Sequence, residues 1–189
     1  LNDLKSILNE IEKENELKIK LRNKALFLVG FSGAFRRSEL VSIELQDLDF
    51  VEEGVKIFIK KSKTDQSGEG MIKAIPYFDN INFCPVLSLK NWINFLKKNN
   101  KINNKIFNMS DKNVSLIIKK YTLKAGLNSE IYSGHSLRSG FATTAAELGA
   151  EERHIMAMTG HKSNQMVRRY IQESNLFKNN ALKKLRFNH

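Results

Sequence analysis

The feature that most limits what this chain can fold into is a change of period. Up to residue 43, and again from residue 85, apolar side chains recur every three or four positions; between Leu48 and Pro76 they come in three short runs rich in β-branched and aromatic residues. The first pattern buries one stripe of a helix and the second buries one face of a strand. The spacing of Leu4, Ile7, Leu8 and Ile11, and of Leu21, Ala25, Leu28 and Val29, predicts two amphipathic helices, the second loosened near its end by Gly30 and Gly33. A short helix is expected over 38–43. Strands are expected at Leu48–Val51, 55–60 and Met71–Pro76, with Glu53-Gly54 suited to a tight hairpin and 62–70 forming a polar loop between the second and third strands. Pro85 marks a helix start, with Val86, Leu89, Trp92, Ile93 and Leu96 on one stripe. Val114, Ile117, Ile118 and Tyr121 form another stripe, ended by Gly126. A further helix is expected over 137–148, and the last helical pattern lies at 181–185. No internal repeat or proline-rich linker divides the 189 residues. The expected fold class is therefore α+β and mainly helical, one domain over 1–189 carrying a small three-stranded antiparallel sheet.

Cys84 is the only cysteine, which rules out an internal disulfide and a cysteine-rich zinc cluster and fits a reducing, cytoplasmic setting. The longest apolar runs fall far short of the roughly 20 residues that a membrane-spanning helix needs. Thirty-one Lys plus Arg against twenty Asp plus Glu leave a net charge of +11, which favours a polyanionic partner, nucleic acid first, through counterion release and steering. Because the chain begins at Leu1, an upstream portion is expected to be missing.

Four separated segments carry polar groups able to do chemistry. They are Gly33 with Arg36, Arg37 and Glu39; Lys61-Ser62-Lys63-Thr64; His135-Ser136-Leu137-Arg138; and Gly160-His161 followed by Tyr170. Arg36 and Glu39 lie three apart and share a helical face, as do His135 and Arg138. His135 follows Ser133-Gly134, where the free amides of a helix N-terminus attract anions.

In order and spacing these segments closely resemble the tyrosine recombinase, or phage integrase, family. Its first box, a glycine-containing helix end, then arginine, two residues, glutamate and leucine, is matched by Gly33, Arg36, Glu39 and Leu40. Its second, histidine, two residues, arginine and a run of small residues, is matched by His135, Arg138, Ser139, Gly140, Ala142 and Thr143. A Gly-His pair with the tyrosine nine residues further on is matched by Gly160, His161 and Tyr170. The hairpin lysine of the family is best matched by Lys63, with Lys60, Lys61 and Lys73 as rivals. Arg37 rivals Arg36, and the spacing to Glu39 favours Arg36.

The resemblance implies a DNA breaking and rejoining enzyme in which Tyr170 attacks a phosphodiester, forming a 3′-phosphotyrosyl bond and a free 5′ hydroxyl. Arg36 and Arg138 are then the phosphate clamps, since a guanidinium stays charged and its planar donor fork matches phosphate oxygens. His161 donates to a nonbridging oxygen, His135 is the candidate base for the phenol, Lys63 the candidate general acid, and Glu39 a support for Arg36. Rejoining conserves the bond energy, so neither ATP nor a metal or other cofactor is implied. Arg37, Lys60, Lys73, Lys119, Lys162 and Arg168 are expected to touch the phosphate backbone. The implied partners are double-stranded DNA and other protomers, four on DNA, with a monomer or weak association without it. Leu176, Phe177, Ala181, Leu182 and Leu185 form a C-terminal apolar face able to dock on a neighbour, and no membrane is involved. The N-terminal helical domain with which family members clamp the opposite face of DNA is expected to be absent from this chain. A type IB topoisomerase shares the chemistry, and a noncatalytic DNA-binding module would account for the charge alone.

Overall fold

The computed structural model describes residues 1–60, 70–101, 103–160 and 163–175. Helices α1 (Asn2–Glu12), α2 (Leu17–Ser32) and α3 (Arg37–Ser42) precede strands β1 (Leu48–Val51), β2 (Gly54–Ile59) and β3 (Met71–Pro76). Helices α4 (Pro85–Lys98), α5 (Asp111–Lys124), α6 (Ser136–Glu147), α7 (Glu152–Thr159) and α8 (Asn164–Asn175) follow. The three strands are antiparallel in the order β1-β2-β3, with Leu48 opposite Ile57, and Ile57 opposite Lys73. Two residues, Glu52 and Glu53, make the first turn, so Gly54 opens β2 opposite Val51 and Pro76 and is not itself a turn residue. The predicted C-terminal helix at 181–185 lies outside the described residues.

α1 behaves as its spacing predicts, burying only Ile7, Leu8 and Ile11. α2 does not. Ala25 to Gly30 are consecutively buried, because α1, α4 and α6 all pack on this helix. A helical stretch apolar all round belongs at the centre of a domain, and in α2 that stretch is the C-terminal half. Gly30 does not loosen it either. The helix runs on to Ser32, and a Cβ at Gly30 would lie 2.7 Å from Leu137 and 3.1 Å from Leu40, so the glycine admits the side chains of α6 and α3. The main core gathers Phe27, Leu28, Leu40, Ile57, Leu89, Trp92 and Phe107 with their neighbours, each large apolar side chain contributing roughly 1.5–3 kcal/mol. A second, smaller cluster holds Ala142, Ala146, Ile155 and Val167, with Tyr170 and Ile171 against it.

One polar network ties the end of α1 to this core. The fully buried Tyr121 donates its hydroxyl to Glu14 at 2.7 Å and accepts from Asn23 at 2.9 Å, while Lys124 reaches Glu14 at 2.8 Å. The hydrogen bonds from Lys124 and then Tyr121 hold the Glu14 carboxyl at a pKa of about 2, against an ordinary 4.5. A depressed carboxylate pKa stabilises the fold above the ordinary value and loses that effect as pH falls toward the folded one. Glu14→Gln should therefore cost about 1 kcal/mol at neutral pH. In melting curves the gap from wild type should close as pH falls from 4.5 to about 2; a gap constant over that range would contradict this account.

Candidate active site

The site is built on the turn that ends α2. The Gly33 amide donates to Val29 at 2.9 Å, Ala34 to Phe31 at 2.9 Å and Phe35 to Gly30 at 3.0 Å, folding the chain back on the helix. Ala34 sits at φ +48, the left-handed region that non-glycine residues seldom occupy, and it is completely buried. A Cβ at Gly33 would lie 2.1 Å from the Phe35 ring, itself buried, so only glycine fits there.

Arg36 follows as the N-cap of α3. Glu39, on the first turn of that helix, reaches back with both oxygens, one accepting from the Arg36 backbone amide at 2.9 Å and one from its guanidinium at 2.5 Å. The first contact is half of a capping box, so helix initiation and orientation of the arginine are one event. Burial alone would raise the Glu39 pKa. The Lys73 ammonium and the Arg36 contacts outweigh it and hold the carboxyl below its usual range.

Arg138 comes from the first turn of α6, where it is buried and donates through Nη1 to the Ala34 carbonyl at 3.1 Å. Its Nη2 is also buried and has no hydrogen-bond partner among the described residues. Burial, then the nearby Arg36 cation, pulls the guanidinium pKa down to about 10, opposed by Glu39 and Tyr170. Tyr170 is half-buried on α8, which packs against α6, and it interacts electrostatically with Arg138. His135 is the exposed N-cap of α6, its carbonyl accepting from the Ser139 amide one turn on. The structure thus brings Arg36, Glu39, Arg138 and Tyr170 into one neighbourhood, with His135 a turn before Arg138. Lys63, His161 and Lys162 lie outside the described residues; a Cβ at Gly160 would lie 3.5 Å from the sulfur of Met71 at the start of β3.

The expected DNA contacts fare differently. Arg37 turns away from Arg36 to pair with Asp111 at 3.1 Å and Ser115 at 2.9 Å, tying α3 to α5. Lys60 is exposed and pairs with Glu44 and Asp47, and the exposed Arg168 pairs with Glu152. Lys119 is exposed. Lys73 must be corrected. Its side chain is 1% exposed, and its ammonium donates to the Gly33 carbonyl at 2.7 Å and the Ala34 carbonyl at 3.3 Å, so it faces the interior and not a DNA surface. Strand alternation could have signalled this, since Lys73 shares its face with Met71 and Ile75; but Ile72, 65% exposed, made the opposite face look equally apolar. Among the described residues no group of three or more His, Cys, Asp or Glu is placed to hold a metal ion, and no helix is long and apolar enough to cross a membrane.

Comparison with known proteins places this geometry. The chain is 46% identical over 176 residues to an integrase/recombinase XerD homolog of Selenomonas ruminantium, covering 87% of this chain and 51% of that protein. It is 31% identical over 184 residues to the tyrosine recombinase XerC of Rickettsia typhi, covering 92% and 55%. It spans about half the length of these curated relatives. Among solved structures, the XerH site-specific recombinase bound to its difH substrate aligns with a TM-score of 0.73 at 20% identity, over 89% of this chain and 48% of that one. The XerA recombinase aligns with a TM-score of 0.73 at 19% identity, over 100% and 62%. At these identities the two structures speak for the fold alone, while the model of the phage integrase family matches residues 1–176, and the chain belongs to that family.

Proposed function

We propose that this chain is the catalytic part of a site-specific tyrosine recombinase that integrates or excises a mobile element. The observation that carries the reading is the buried Nη2 of Arg138, which has no hydrogen-bond partner among the described residues, on a guanidinium close to Arg36 and within electrostatic reach of Tyr170. A buried cationic donor without a partner among the described residues, on a side chain close to a second cation, suits an anion that completes it. A phosphodiester supplies one, and its anionic oxygens must be neutralised before a nucleophile can approach.

The Tyr170 oxygen attacks phosphorus, the bond to the 5′ oxygen breaks, and the 3′ phosphate stays on the tyrosine. His135 takes the phenol proton, and Lys63 gives one to the departing 5′ oxygen. His161 joins the two arginines at the nonbridging oxygens. Attack by the 5′ hydroxyl of another strand reverses these steps, so neither metal nor ATP enters. Double-stranded DNA is the substrate, and the +11 charge favours its approach. Four protomers assemble on it through the C-terminal apolar residues, and without DNA the protein is a monomer or weakly associated in the cytoplasm.

The test is a pool of random-sequence nicked duplexes incubated with the protein in EDTA without ATP, followed by capture of detergent-resistant adducts. Wild type should yield DNA-linked protein with the phosphate mapped to Tyr170 by mass spectrometry, and Tyr170→Phe should yield none. An adduct surviving that substitution, or no wild-type adduct, would reject the reading. Relaxation of supercoils by isolated monomers would point instead to a topoisomerase.

A further inference from the structure

Lys73 is the costliest side chain in the described fold to explain by packing alone. An ammonium taken out of water is strongly destabilising unless good partners surround it. Its partners are the Gly33 and Ala34 carbonyls at 2.7 and 3.3 Å, the Glu39 carboxylate at 3.8 Å and the face of the Phe35 ring at 4.5 Å. All four lie within residues 33–39, the turn that presents Arg36. The Ala34 carbonyl is shared, since Arg138 Nη1 also donates to it. Its direction is set by a residue at φ +48, a conformation that persists only when the surroundings enforce it. Three elements, β3, α3 and α6, are therefore joined through one carbonyl and one carboxylate.

We propose that Lys73 is a positioning residue for both arginines: by holding the Ala34 carbonyl it aims the open Nη2 of Arg138, and by holding Glu39 it fixes the guanidinium of Arg36. The inference rests on the reading that these arginines receive a phosphate. Lys73 itself stays out of reach of DNA, which separates it from a backbone contact. Burial pulls its pKa down to about 8, with Glu39 opposing and Arg138 and Arg36 adding to the fall, a measure of how tightly these groups are gathered.

The probe is inorganic phosphate, titrated into 15N-labelled protein while the side-chain Nε–Hε signals of Arg36 and Arg138 are followed. In wild type both signals should move together. Lys73→Met, which keeps the apolar stem, should melt below wild type because it strands the Glu39 carboxylate and two carbonyls, and its folded fraction should bind phosphate at least 10-fold more weakly. A purely structural role would lower the melting temperature without changing phosphate affinity in the folded fraction. Lys73→Gln, which retains one donor, should fall between. A folded Lys73→Met or Lys73→Gln protein that binds phosphate as wild type does would overturn the proposal, as would wild-type arginine signals that ignore phosphate. If neither variant folds, Lys73 serves the core and the proposal also fails. Wild type that binds phosphate at both arginines yet forms no Tyr170 adduct would reject the recombinase reading and leave this inference intact.

Discussion

Arg138→Lys is expected to slow formation of the Tyr170 adduct by about 10²- to 10³-fold, although charge and side-chain length are nearly kept. The guanidinium does two things at once. Nη1 is committed to the Ala34 carbonyl, and Nη2 remains available in the buried space beside Arg36. An ammonium has three donors but no fixed fork, so contact with the carbonyl would not hold a second N–H in the direction of a phosphate. The environment adds to the loss. Burial and the Arg36 cation bring the arginine to about 10, where it is still fully charged at neutral pH. A lysine begins near 10.4, and the same forces would carry it toward the neutral form. The check is single-turnover cleavage on a DNA that wild type cuts, with folding followed by circular dichroism. A rate within 10-fold of wild type would show that the fork is not needed.

Gly33→Ala is expected to be the most damaging one-carbon change near the site, lowering stability by about 1–3 kcal/mol and abolishing phosphate binding at the arginines. The added methyl would meet three atoms of the Phe35 ring, at 2.1, 2.6 and 2.9 Å. Phe35 is 1% exposed and lies beneath the Lys73 ammonium, so it cannot swing away without moving the lysine and the carbonyls it holds. The effect is read as a drop in melting temperature together with the phosphate titration. An unchanged melting temperature would mean that the ring has room that the structure does not show.

How much of this was legible in the sequence depends on which forces act locally. The three strands and α1 follow from period, because each buries one face and leaves the other to solvent. α2 was misread as amphipathic, since being covered on every side is a property of the partners and not of the helix. α7 and α8 were not delimited, their apolar positions being few and feeding only the small second cluster. Spacing singles out Arg36, Glu39 and Arg138 and prefers Arg36 to Arg37; in the structure Arg37 pairs with Asp111 and Ser115, while Arg36 pairs with Glu39. Lys73 was assigned to the wrong environment, because a lysine between Ile72 and Ala74 gives no hint that a carbonyl 40 residues earlier is waiting for it.

The division of the interior into two apolar groups bears on how Tyr170, the nucleophile in the proposed reaction, can behave. Arg138 is bonded to the turn that follows α2 and Arg36 to Glu39 on α3, both beside the main core, whereas Tyr170 leans on the smaller cluster of Ala142, Ala146, Ile155 and Val167. Local opening is cheapest where few apolar contacts must be broken. Under the proposed reaction the arginines can thus stay fixed while the Tyr170 oxygen advances or withdraws, so that readiness to cut would be an adjustable property of one helix and not of the whole fold.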